Sequence, residues 1–71
     1  MRLLRYSEVE FKTGLKKQAI RTRVSAGTFP KPVPLGIRSD GRATLDAFVE
    51  TEIDAWIELT IAEGRNRARA T

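Results

Sequence analysis

The chain has 71 residues, a formal net charge of +4 and 41% hydrophobic residues, enough for one small core and too few for a second domain or a deep enzyme pocket. It contains no cysteine and no histidine, which excludes disulfides and thiolate zinc sites and removes the commonest general base and metal ligand. No apolar run approaches the roughly 20 residues that span a bilayer, and the first residues lack the apolar centre of a signal peptide. A non-enzymatic cytoplasmic protein without metal or cofactor is expected.

Leu3 and Leu4 can close over a core as a short extended arm. Ser7, followed three residues later by Glu10, has the spacing of a capping box, with Tyr6 and Phe11 placed for a hydrophobic staple. Helix 1 is therefore expected from about Glu8 to Thr13, with Val9 inward and Gly14 as its left-handed stop. Gly14 to Lys16 leave only a short turn before a second helix that ends at Gly27. Two short helices joined by a three- or four-residue turn containing glycine have helix-turn-helix spacing. On helix 2, Ile20 and Val24 fall within about 40° of each other at 100° per residue, while Gln18, Arg21 and Ser25 share another arc, with Thr22 beside them and Lys17 nearer the core edge.

Thr28 to Pro34 contain all three prolines and cannot be helical, because each proline pushes its predecessor toward extended geometry. Phe29 is expected to plug the core. Extended runs from Val33 to Arg38 and from Ala43 to Phe48 flank Ser39-Asp40-Gly41-Arg42, and Asp-Gly between extended runs signals a hairpin. A third helix follows, with Thr51 as its cap and Gly64 as its end. Ile53, Trp56, Ile57, Thr60 and Ile61 recur at three- and four-residue steps, so one stripe packs inward. Trp56 on that stripe reads as core rather than as a base-stacking platform. Asp54 and Glu58 read as ordinary helix surface. The expected organisation is a domain over residues 1–63 and a basic, flexible tail over 64–71.

Charge is segregated along the chain. Lys12 to Arg42 hold eight basic residues against the single acid Asp40, whereas Ala43 to Glu63 hold six acids and no base, and Arg65, Arg67 and Arg69 follow. One face for a polyanion and one turned away from it are implied. The candidates for DNA base contact are Lys17, Gln18 and Arg21, in the first turns of helix 2, because glutamine can pair bidentately with adenine and arginine or lysine with guanine. Thr22 and Ser25, on the same side of the helix, are expected to be phosphate contacts or simply exposed. Arg38, Ser39 and Arg42 at the hairpin tip are candidates for backbone or minor-groove contact. Lys12, Lys16 and Lys31 are phosphate candidates, and Arg23 is expected to cover the core edge with its stem.

The order of these pieces resembles the AlpA family of prophage regulators, small winged-helix proteins related to phage excisionases and to the DNA-binding part of MerR-type regulators. Carrying the resemblance are Leu4-Arg5-Tyr6-Ser7-Glu8-Val9, Thr13-Gly14-Leu15, Phe29-Pro30-Lys31-Pro32-Val33 with Leu35-Gly36, and Glu50-Thr51-Glu52-Ile53-Asp54-Ala55-Trp56-Ile57. Two departures lie on helix 2: the family usually has a capping serine where Lys16 stands and an aromatic where Arg21 stands. The hairpin is also longer than usual.

The expected fold is thus mainly α with a small β-hairpin, a winged helix-turn-helix of three helices and a two-stranded wing. The resemblance implies a sequence-specific protein of phage or prophage type acting in the bacterial nucleoid, as a transcriptional regulator, an excisionase-like recombination directionality factor, or both. Its partner would be double-stranded DNA, with helix 2 in the major groove and the wing on the minor groove or backbone. A recombinase or integrase, or adjacent copies of the chain on DNA, would complete the set, with no membrane involved. The alternative from a different class is a protein-interaction adaptor or antirepressor that does not read DNA.

Overall fold

A computed structural model describes residues 2–37 and 43–70. The element order is β1 (Leu3–Leu4), α1 (Tyr6–Thr13), α2 (Lys17–Ala26), β2 (Val33–Ile37), β3 (Ala43–Val49) and α3 (Glu50–Ala70). Three helices and the β2–β3 hairpin match the winged helix-turn-helix expected from the sequence. The extended arm adds a third strand to it, in the antiparallel order β1-β3-β2, with Leu3 opposite Val49 and Leu4 opposite Phe48. Between β2 and β3 the register slips after Pro34↔Asp46 and again after Gly36↔Leu45, and the second slip undoes the first at Ile37↔Ala43. Paired bulges of this kind twist a ribbon without changing which face its ends present.

The core forms where these elements meet. Leu4, Val9, Ile20, Phe29, Phe48 and Ile53 are buried in one cluster, with Tyr6, Leu15, Val24, Trp56 and Ile57 packed against it. Each fully buried side chain of this size contributes roughly 1.5 to 3 kcal/mol, so a handful of residues carries most of the stability of so small a chain. Phe29 fills the centre as expected, meeting Phe48 edge-on at 5.9 Å and Trp56 at 4.6 Å. The Trp56 indole N–H donates to the Thr28 carbonyl at 2.8 Å, which ties the segment after α2 to α3.

Several details depart from the sequence reading. Helix α1 starts at Tyr6 rather than Glu8, with Arg5 as its cap residue, and Glu8 rather than Glu10 reaches back to the cap amide, at 3.1 Å from the Arg5 nitrogen. The reason is Tyr6, which packs edge-on against Phe48 at 5.1 Å and so enters the first turn. The Tyr6–Phe11 staple is consequently not formed, and Phe11 is 91% exposed. Helix α3 begins at Glu50, ahead of Thr51, because β3 runs straight into it and the Arg2 carbonyl accepts the Glu50 N–H at 2.8 Å. Finally, α3 does not stop at Gly64 but continues to Ala70. Glycine inside a helix costs about 1 kcal/mol relative to alanine, which weakens a helix without ending it, and the arginines beyond it complement the negative end of the helix dipole. The apolar stripe on α3 is packed only as far as Ile57, with Thr60 and Ile61 exposed.

Candidate nucleic-acid interface

Helix α2 is held by one face and free on the other. Ile20 is fully buried, and Val24 and the preceding Leu15 pack on the core. Gly14 and Gly27, at φ +76° and +79°, close the helices on either side of the turn and at the end of α2. Both need the left-handed conformation that glycine adopts without strain. The Gly14 N–H donates to Glu10 and the Thr28 N–H to Arg23, so carbonyls at both helix ends are satisfied.

On the free side, Lys17, Gln18, Arg21, Thr22 and Ser25 are all exposed. Gln18, Arg21, Thr22 and Ser25 line one shallow depression along the helix. Lys17 stands at its edge, its ammonium 5.1 Å from the centre of the Tyr6 ring, a cation–π contact that keeps the charge on the α1 side. The Thr22 hydroxyl donates to the Gln18 carbonyl at 2.9 Å. Its proton is therefore engaged, leaving lone pairs to meet a donor group. Arg23 is half-buried and its guanidinium reaches the Ala19 carbonyl at 3.4 Å, on the side away from the depression.

How the first turn of α2 is satisfied is not visible in its own residues. Lys16 holds extended cap geometry (φ −78°, ψ 158°) but has no side-chain acceptor to offer. Instead Glu10 of α1 accepts the Lys17 N–H at 2.9 Å. The same carboxylate places negative charge at the positive end of the α2 dipole, offsetting Lys16. The signal for this role is lysine at a cap position, which leaves the first amides of α2 to be served by an acid of the preceding helix.

The remaining candidates are dispersed. Lys12 lies in an ion-pair cluster, 2.6 Å from Asp54 and 3.3 Å from Glu50, and Arg2 joins the same cluster through Glu8 and Glu50. Its pKa is raised above 10.5, first by the hydrogen bond to Asp54 and then by Glu50, against an opposing effect of desolvation. It thus links α1 to α3 with its charge already matched by two carboxylates, and the basic and acidic halves of the sequence meet there. Lys16 is exposed at the start of α2. Lys31 lines a different groove, between Phe29–Lys31 and the Glu52, Trp56 and Leu59 side of α3. Arg38, Ser39 and Arg42 lie outside the described residues.

Among the described residues, no group of three or more His, Cys, Asp or Glu side chains is arranged to hold a metal ion. Among the described residues, no helix is long and apolar enough to cross a membrane. Residues 2–61 match the family model of the prophage CP4-57 regulatory protein (AlpA). No curated protein and no solved structure matches the chain.

Proposed function

The chain belongs to the AlpA family of prophage regulatory proteins, and from that premise we propose that it binds double-stranded DNA sequence-specifically, with α2 in the major groove. The observation that carries this reading is the two-sidedness of α2: Ile20 anchors one face in the core, and Gln18, Arg21, Thr22 and Ser25 share the other. With its side chains an α-helix is about 10 to 12 Å across, which suits a groove roughly 12 Å wide, and the ten residues of α2 give it about 15 Å of length to lie along that groove. Gln18 and Arg21, one turn apart near its start, would read base edges. Lys17, a base-contact candidate in the sequence, sits over the Tyr6 ring on the α1 side and would instead join Lys16 on the flanking phosphates, and Thr22 and Ser25 would meet the groove wall.

The hairpin would supply Arg38, Ser39 and Arg42 to the backbone or minor groove, and Lys31 a peripheral phosphate contact. Lys12 would not contact DNA, because its two carboxylate partners already hold it. Transcriptional control and excisionase-like direction of a recombinase both require this same DNA-binding step. They are distinguished by whether binding changes transcription from a nearby promoter or the outcome of recombination at an attachment site.

Titration of a target duplex at several salt concentrations tests the reading. Engagement of about five phosphates makes log K fall against log salt with a slope near −4.5. A slope near zero, or activity retained when Gln18 and Arg21 are both replaced by alanine, would favour an adaptor that does not read DNA.

A further inference from the structure

Helix α3 runs well past the last of its residues that packs on the core, Ile57. Its 21 residues extend about 31 Å at 1.5 Å per residue, and the chain measures 53 × 25 × 17 Å. Burial ends at Ile57: every residue from Glu58 to Arg69 is exposed, including Leu59 at 59% and Ile61 at 48%. A free helical stretch of this length, with a glycine at its centre, is marginal in water without something to pack on.

Its charges have a pattern that reverses onto itself. Asp54, Glu58, Ile61, Ala62, Arg65 and Arg69 follow at steps of four, three, one, three and four residues, which places them within an arc of about 100° on one side of the helix. Turning the helix end for end about the midpoint between Ile61 and Ala62 maps Glu58 onto Arg65 and Asp54 onto Arg69. The preference of a helix for acids near its start and bases near its end accounts for the sign of the two halves. It does not account for equal spacing on either side of a small apolar centre.

We propose that this face of α3 is a self-association surface that pairs antiparallel with α3 of a second copy of the chain. A twofold axis passes beside Ile61 and Ala62, so the contact is closed and each partner uses the same residues. Ala62 lets the two backbones approach, Ile61 packs across the axis, and Glu58 of each copy faces Arg65 of the other. Asp54 already holds Lys12 at 2.6 Å, so the Asp54–Arg69 pair is the weaker of the two and Glu58–Arg65 carries the register. About six residues a side is well below the roughly 20 to 30 of a standard interface. The association is accordingly weak, reversible and sensitive to salt. It does not depend on the DNA-binding reading.

Sedimentation equilibrium of the full chain, without DNA, over a concentration series at low and high salt tests the proposal, with circular dichroism recording the fold of each variant. The wild type is expected to pass from monomer to dimer, and to do so less readily in high salt. Glu58→Arg sets like charges against each other at both symmetry-related positions and weakens dimerisation by about tenfold or more, as does Arg65→Glu. The double variant Glu58→Arg/Arg65→Glu swaps both partners and regains wild-type association. A wild type that stays monomeric throughout, growth to open-ended assemblies, single variants that associate as the wild type does, or a double variant that fails to recover, each overturns it.

Discussion

The Glu10 carboxylate, on the last turn of α1, accepts the backbone N–H of Lys17, the first residue of α2, at 2.9 Å. A side chain of the first helix therefore completes the start of the second and fixes the angle at which α2 presents its exposed face. Replacing Glu10 by alanine is expected to cost about 0.5 to 2 kcal/mol, the range for a lost cap, while glutamine keeps the acceptor and costs less. Chemical denaturation followed by circular dichroism measures both.

Lys16 already has the extended backbone of a cap residue. Lys16→Ser would supply an acceptor to the amide of Gln18 or Ala19, which Glu10 does not serve, and should stabilise the chain by about 0.5 to 1 kcal/mol. Because the two side chains serve different amides, the gain should persist in a Glu10→Ala background. A gain seen in only one background would show that they compete for the same end of the helix.

Tyr6 and Phe11 are both aromatic residues of α1 with opposite fates. Phe11→Ser should change stability by no more than about 0.5 kcal/mol, as for other surface positions, whereas Tyr6→Ala, which removes the edge-on contact with Phe48, should cost about 1 to 3 kcal/mol. Equal losses at the two positions would restore the Tyr6–Phe11 staple.

Lys12 makes stability depend on alkaline pH. Its pKa is raised in the folded chain, so its stabilising contribution is complete below the ordinary value of 10.5 and disappears as pH rises through the raised value. Thermal midpoints measured from neutral pH upward should fall more steeply above 10.5 for the wild type than for Lys12→Met. Parallel curves would mean that the Asp54 and Glu50 contacts do not persist in solution.

Gly64 lies inside α3 with open space around it. A Cβ there meets nothing within 4 Å, so Gly64→Ala should strengthen the distal helix by about 1 kcal/mol. Slower amide exchange over residues 65–69 would record it. Were Gly64 a left-handed stop, alanine would instead loosen the same amides.

Much of the fold is legible in local patterns. The glycines at 14 and 27, the prolines from 30 to 34 and the three- and four-residue spacing of Ile53, Trp56 and Ile57 each state a constraint that acts within a few residues. The exposed face of α2 follows from the same periodicity. What escapes a local reading depends on contacts distant in sequence: Tyr6 drawn into helix α1 by Phe48, Lys12 held by Asp54 and Glu50, the Arg2 carbonyl serving Glu50, and Glu10 serving Lys17. The helix end at Gly64 escaped for a different reason. Glycine permits a stop without imposing one, and only the backbone geometry decides.

Whether the exposed face of α2 reads DNA is decided by selection from a library of randomised duplexes, repeated with the Gln18→Ala/Arg21→Ala variant. The wild type should enrich a short defined sequence and discriminate against single-base changes at the positions it reads by about 1 to 3 kcal/mol per contact. The variant should lose that discrimination while keeping its fold and a residual, salt-dependent affinity. Failure of the wild type to enrich any sequence, or enrichment of the same sequence by the variant, would contradict the account.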